Sequence, residues 1–532
     1  MRVRAIIAAA LASVSLSAAG HQGRSATGPS PGACASVTEP LPPTAGGGIA
    51  PSASSTGGSS CTPPPYRNPG HLRAKLASKG TAAFDVPTKL PGIDFELPPS
   101  WAGHIPVSAR KNESRQLYFW MYPATGNEGN DDLTIWLNGG PGCSSLSGLL
   151  AEVGPATFDP NTRIAQRNPY SWTNVSNVLW VDQPAGVGFS RGTPQNQSME
   201  EVAADFNGFL VQLYRTFPRL RGKRLYITGE SFAGKYIPFI ADHIFAHAHE
   251  NKRAGIDLHG TWISDPLYVP NIVSKELPSV ELARQYQKRL NLTDAELKEV
   301  TDIGDATGIS NYVREHLHYP PRGPLPIPPR VNETRAYDKL KTLIQKHNPC
   351  FSPFNMLRQA PCEPTALGSD PRTESSSPKN YFNDVPGVKA AIHADRNRTW
   401  VQCSSAYAFS VMKNMTTGYP NTAALPRVIE RSKRTLLIHG TYDYVVLYNG
   451  SAIGIQNMTW HGQQGFQHVP RTPLHVPGEA GGYYHTERGL TFVVVRDAGH
   501  QAPLYSPRTA LRLVRYLLGQ DEGLAEGSRG GQ

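Results

Sequence analysis

Short apolar runs separated by amphipathic stretches organise this chain. Leu133-Thr-Ile-Trp-Leu137, Val178-Leu-Trp-Val181, Leu225-Tyr-Ile-Thr228, Leu436-Leu-Ile-His439 and Thr491-Phe-Val-Val-Val495 are brief and mostly apolar at successive positions. That pattern predicts central parallel strands covered on both faces. Met199 to Phe217 sets Val202, Phe206, Phe209, Leu210 and Leu213 at helical spacing, and Phe232 to His249 reads as a second helix. Strands alternating with helices predict an α/β protein with a mostly parallel central sheet flanked by helices. From about Leu267 to Tyr381 the alternation breaks into polar helical pieces and Pro-rich turns such as Tyr319 to Pro329. We expect that stretch, 267–381, to be an insertion that caps the sheet.

The ends of the chain read differently. Arg2 and Arg4 precede the apolar run Ala5 to Leu16, and Ser17-Ala18-Ala19 offers small residues for cleavage. Residues 1–19 therefore read as a secretory signal, too short in its apolar part to span a bilayer. From about Ser25 to Pro65 the chain is Ser, Gly, Pro, Thr and Ala with few large apolar residues. Residues 20–83 are expected to be low-complexity linker or pro-segment. The catalytic-size domain then runs over 84–520, with a polar tail at 521–532. No later segment is apolar enough to cross a membrane.

Composition narrows the setting. The 532 residues carry a formal charge of +10, but Lys and Arg are scattered rather than striped, so a solvated basic surface is preferred to a nucleic-acid footprint. Six cysteines follow the signal: Cys34, Cys61, Cys143, Cys350, Cys362 and Cys403. An even count in an exported chain points to disulfides, and none of the spacings reads as a zinc site. Cys34 and Cys61 could pair with each other. Asn112, Asn174, Asn196, Asn291, Asn332, Asn397, Asn414, Asn449 and Asn457 each begin an Asn-x-Ser/Thr triplet. Behind a signal, that many acceptors predict a glycoprotein with sugars on surface loops. Secretion is the expected location, with an acidic vacuolar compartment left open.

Candidate chemistry sits at the ends of the predicted strands. Gly229-Glu230-Ser231-Phe232-Ala233-Gly234 lies between a strand and a helix, one residue longer than G-x-S-x-G. Such a turn exposes a serine hydroxyl at the edge of the sheet, and the next N–H, of Phe232, can stabilise an oxyanion. Serine needs a base, and an orienting acid for that base, later in the chain. Asp443 follows the strand ending at His439, and His500 follows the strand ending at Val495. Trp136-Leu-Asn138-Gly139-Gly140-Pro141-Gly142-Cys143-Ser144-Ser145 adds a Gly-rich turn in which Gly140 could supply a second oxyanion donor.

Four ordered motifs resemble the serine carboxypeptidases, of which carboxypeptidase Y is the familiar member. They are Trp136 to Ser145, Asp182-Gln183-Pro184 to Ser190, Gly229 to Tyr236, and Ala498-Gly-His500; the resemblance spans roughly Phe84 to Leu518. It implies an α/β-hydrolase fold that releases C-terminal amino acids from peptides. Ser231 would be the nucleophile, His500 the general base and acid, and Asp443 its orienter. Gly140 and Phe232 would form the oxyanion hole. Asn138, Glu152 and Glu230, with Trp136 beside them, would bind the substrate's free carboxylate. The resemblance also implies a Cys143–Cys403 disulfide, and Cys350 with Cys362 completes a second pair. No cofactor or metal is implied. Partners would be peptides or proteins with a free C-terminus, acting on a monomer or homodimer, with no nucleic acid or membrane.

Two Glu side chains facing a carboxylate must share protons, so peptide cleavage is expected to favour acid pH. Departures from the family pattern are Phe232 where Tyr is usual, Thr441 for an Asp, Lys235 for a common His, and Asn449 at an unusual spacing. Asn457 to Phe466 resembles a fungal subgroup of these enzymes. An acyltransferase, an esterase of the same fold and an inactive binding glycoprotein remain alternative readings from sequence.

Overall fold

The computed structural model describes residues 69–525 apart from 127–128, 160–161, 163, 194–197, 332–334, 360–361, 363–379 and 405–416. The signal, most of the low-complexity segment, Cys34, Cys61, Asn196, Asn332 and Asn414 lie outside the described residues. So does the end of the polar tail, 526–532.

Among the described residues, eleven strands form one sheet. In chain order they are β1 (Asp85–Val86), β2 (Ser100–Pro106), β3 (Gln116–Tyr122), β4 (Asp132–Leu137), β5 (Asn177–Asp182), β6 (Arg224–Glu230), β7 (Asp257–Ser264), β8 (Arg434–Gly440), β9 (Thr472–Leu474), β10 (Gly482–Glu487) and β11 (Leu490–Val495). The spatial order is β1-β2-β3-β5-β4-β6-β7-β8-β11-β10-β9. The six from β5 to β11 are mutually parallel, and the flanking strands on both sides are antiparallel.

Both faces of the sheet are buried, and strand periodicity explains how. Leu133, Ile135 and Leu137 join one core, with Leu179, Val181, Leu225 and Ile227. Their neighbours Trp136, Val178, Trp180 and Tyr226 join the other, with Leu436, Ile438, Val493 and Val495. Successive side chains of a strand point to opposite faces, so a run apolar at every position can feed both layers. Helix α1 (Met199–Thr216) and helix α2 (Ala233–Ala246) cover the first face through Phe206, Phe209, Ile237 and Ile240.

The five predicted strands are present, each slightly longer than its apolar run. The second predicted helix stops at Ala246, and a short helix, Ala248–Ala254, follows. The compact part also begins before Phe84: Leu72 and Leu76 are buried, and Leu76 shares a core with Trp101 and Phe217. The helices between β7 and β8 include α3 (Leu277–Tyr286), α4 (Asp294–Thr307) and α5 (Ala336–His347). No described helix is long and apolar enough to cross a membrane.

Candidate active site

Neighbouring parallel strands bring the predicted residues to one edge of the sheet. Asn138 follows β4, Ser231 follows β6, Asp443 lies just past β8 and His500 just past β11. Carboxyl ends of parallel strands are where open α/β sheets build their sites. Ser231 adopts a left-handed φ of 62°, the sharp turn expected between β6 and α2. Its N–H donates to Ser264 O at 2.9 Å and its carbonyl accepts from Leu267 N at 3.0 Å, so the ends of β6 and β7 hold the turn.

The Gly-rich turn packs directly on that elbow. A Cβ on Gly139 would lie 2.3 Å from Phe232 N and 2.9 Å from Ser231 Cβ, so only glycine permits the approach. Gly140 has φ 109°, also glycine's territory. The Cys143–Cys403 disulfide ties this turn to the 400s segment, reinforced by Ser144 N donating to Gln402 O and Ser404 N to Gly142 O, both at 2.8 Å. From the other side Asp182 accepts from Ser144 Oγ at 2.6 Å, Ser145 N at 2.9 Å and Phe189 N at 2.9 Å. Burial nevertheless raises its carboxyl to about 6. The motif containing Asp182 is therefore a brace for the turn.

His500 Nδ1 donates to Asp443 Oδ2 at 2.8 Å, and both side chains are buried. Asp443 Oδ1 accepts from Val445 N at 2.6 Å and Val446 N at 3.3 Å. Burial pushes this carboxyl up, but His500 and His439 together outweigh it and hold Asp443 below the usual carboxylate range. No hydrogen bond among the described residues joins Ser231 Oγ to His500. Such bonds are often long without substrate and tighten in the complex.

Beside the elbow lies a buried acid cluster. Asn138 Nδ2 donates to Glu230 Oε1 at 2.7 Å, while Asn138 Oδ1 accepts from Trp136 Nε1 at 2.9 Å and Gly148 N at 3.1 Å. These bonds fix which way the amide points. Gln501 Nε2 donates to Glu152 Oε1 at 3.2 Å. Glu152 Oε2 and Glu230 Oε2 are both buried with no N–H donor, and the two carboxyls hydrogen-bond each other through a shared proton. Burial first, offset in part by Gln501 and other neighbours, raises Glu152 to about 7. Glu230 is driven well above the ordinary range by burial and then by Glu152. The like-charge argument from sequence thus ranks second to desolvation.

The remaining expectations are placed as follows. Cys350 and Cys362 are bonded to each other. Asn112, Asn291, Asn397 and Asn457 are exposed, whereas Asn174 and Asn449 are half-buried, Asn449 within helix α6 (Tyr448–Gln456). Sequence reasoning gave no role to Gln501, Asp265 or His439, which surround the acids and the dyad. Gln501 directly follows His500, a signal that was available; Asp265 follows β7, a strand that Gly260 and charged ends disguised. By β10, His468, His485 and Glu487 bring possible metal-ligand atoms within 4.8 Å of one another. In that group His485 Nε2 hydrogen-bonds Glu487 Oε2 at 3.0 Å.

The chain matches the family described as serine carboxypeptidase over residues 91–520. A probable serine carboxypeptidase of Arthroderma benhamiae is 38% identical over 464 residues, covering 82% of this chain and 86% of the relative. Serine-type carboxypeptidase F of Aspergillus niger is 34% identical over 82% of this chain and 86% of its own. Among solved structures, the prohormone-processing carboxypeptidase Kex1(Δ)p of Saccharomyces cerevisiae superposes with a TM-score of 0.64 at 24% identity, covering 83% of this chain and 96% of that one. That likeness speaks for the fold.

Proposed function

The chain belongs to the serine carboxypeptidase family, and from that premise we propose how its own residues carry the reaction and why acid solution favours it. It is a hydrolase that removes the C-terminal amino acid from peptides. In our reading Ser231 Oγ attacks the carbonyl carbon of the last peptide bond while His500 takes its proton. The oxyanion that forms is held by the N–H groups of Gly140 and Phe232. His500 then passes the proton to the leaving amine, and the terminal residue departs with its carboxylate. Water, deprotonated by the same imidazole, releases the acyl group. Asp443 holds the ring and stabilises its cation.

The observation that carries the exopeptidase chemistry is the buried pair Glu152 and Glu230, hydrogen-bonded to each other through a shared proton. Protonated, each can donate to a carboxylate; Asn138 orients Glu230 at 2.7 Å. The site then selects a free C-terminus by hydrogen bonds rather than by a cation. Release of amino acid from a blocked dipeptide, followed from about pH 4 to 8 for wild type and Ser231→Ala, tests the reading. We expect release at acid pH that vanishes in the variant and on amidation of the substrate. Equal cleavage of acid and amide substrates would refute the carboxylate site.

Two disulfides and the signal-like start support export, and the exposed acceptors support glycosylation. Enzymatic removal of N-linked sugars from the secreted protein should lower its apparent mass; no change would remove that part of the reading.

A further inference from the structure

A second imidazole reaches the dyad. His439, the penultimate residue of β8, is fully buried. Its Nε2 lies 2.9 Å from Val446 O and 3.3 Å from Asp443 Oδ2, the oxygen that also takes His500. A carbonyl can only accept, so Nε2 carries the proton in the neutral ring as well as in the cation. Nδ1 faces Ser451 Oγ at 2.9 Å, and Ser451 O accepts from Tyr268 OH at 2.6 Å, so the ring is held on both sides.

We propose that His439 is a positioning residue of the dyad: its Nε2–H, shared between Val446 O and Asp443 Oδ2, sets a positive edge against that oxygen and thereby holds off protonation of the Asp443–His500 pair in acid solution. This rests on the triad reading above.

The surroundings explain why that positive edge is needed. Asp265 Oδ1 lies 3.7 Å from His439 Nε2 and accepts from Gly440 N at 2.8 Å. Asp265 Oδ2 is buried and unpartnered. Burial drives Asp265 well above the usual range, with Asp443 adding to the rise. Asp265 also raises Glu230 in the acid cluster. On the cap side Lys275 and Tyr337 also interact electrostatically with Asp443. His439 itself is raised, because Asp443 and Asp265 outweigh its burial. One anion must therefore persist among neighbouring acids, and an imidazole is the group placed to hold it.

The sign does not depend on which member of the pair takes the proton. A dyad titrates as a unit. Withdrawing a donor leaves the Asp443 charge less satisfied, so the pair binds a proton more readily. The acid limb of the rate profile then moves to higher pH.

The test uses a blocked dipeptide ester without a free carboxylate, so that Glu152 and Glu230 do not contribute. kcat/KM is measured from about pH 3 to 7 for wild type, His439→Leu, His439→Gln and Ser451→Ala. In His439→Leu the acid limb should rise by about one pH unit, about tenfold in rate on the limb, with KM nearly unchanged. His439→Gln, which retains an N–H donor, should recover most of the shift. Ser451→Ala, which leaves the ring in place but frees Nδ1, should move the limb the same way by less. A folded His439→Leu whose limb coincides with wild type overturns the proposal; should that variant not fold, an unmoved limb in Ser451→Ala does so. Absence of Ser231-dependent ester hydrolysis in wild type would instead overturn the triad reading, and this inference with it.

Discussion

Replacing Glu152 by Gln isolates the proton that the proposed carboxylate site would use. Glu152 is buried and raised to about 7, and burial and Glu152 drive Glu230 beside it well above the ordinary carboxylate range. Below that value both hold protons and can donate to the incoming carboxylate. Above it the pair loses its first proton, and a peptide must then place a second negative charge beside a buried carboxylate. Each pH unit above the transition removes about tenfold of the competent form, about 1.4 kcal/mol. At about pH 8, wild-type kcat/KM for a peptide acid should therefore fall about tenfold further than for the matching ester. Gln has nearly the same shape, keeps N–H donors and cannot ionise. In Glu152→Gln the extra fall for the peptide should disappear, with the change carried in KM because the interaction is with ground state and transition state alike. The assay is the ratio of peptide to ester kcat/KM against pH in both proteins. A ratio that falls identically in Glu152→Gln would show that this carboxyl does not gate binding.

The same substitution predicts a stability effect. A carboxyl raised from about 4.3 unfolded to about 7 folded favours the native state fully below the lower value, and that advantage is lost as pH rises through the upper one. Thermal unfolding near pH 8 should thus find Glu152→Gln more stable than wild type by up to about 3 kcal/mol, with the difference shrinking toward pH 5. Asp443→Asn should lower kcat by about 10⁴-fold while leaving binding of a peptide product intact, measured by steady-state kinetics and product inhibition. Removing the disulfide with Cys143→Ala and Cys403→Ala opens a link across 260 residues of sequence and should cost about 2–5 kcal/mol in unfolding experiments. It should also lower kcat, because the turn carrying Gly140 loses its tie; unchanged kcat would show that Asp182 alone holds it.

The five interior strands were legible because each is a run that feeds both cores, and such runs admit few other structures. β7 was not, because His259 and Gly260 interrupt Asp257 to Ser264, and its burial comes from neighbours already in place. The outer strands β2, β3 and β10 pair antiparallel and carry polar residues such as His104, Gln116 and His485, so a search for continuous apolar runs passes over them. Ser231, Asp443 and His500 could be located from local context because each follows a readable strand. The groups that tune them could not. His439 looks like the polar end of a strand, and Asp265 like the start of a loop. Only the side-by-side placement of β7, β8 and β11 shows that both face the dyad.

That placement also shows how one site keeps acids in two different states. Glu152, Glu230, Asp265 and Asp443 are all buried. Burial alone would protonate every one of them. Asp443 escapes because the imidazoles of His500 and His439 face Oδ2 at 2.8 and 3.3 Å, while Val445 N and Val446 N donate to Oδ1. Glu230 receives one side-chain donor from Asn138, Glu152 one from Gln501, and Asp265 a single strong one from Gly440 N. The two imidazoles that face Asp443, more than exposure, divide them into one anion and three acids. In the proposed mechanism an anion orients His500 and stabilises its cation, whereas neutral acids receive the substrate carboxylate. The two requirements oppose each other, since any ionised neighbour raises the proton affinity of the dyad. Keeping Glu152, Glu230 and Asp265 neutral in acid solution therefore serves both tasks: it frees donors for the substrate and spares Asp443 the repulsion that would protonate it.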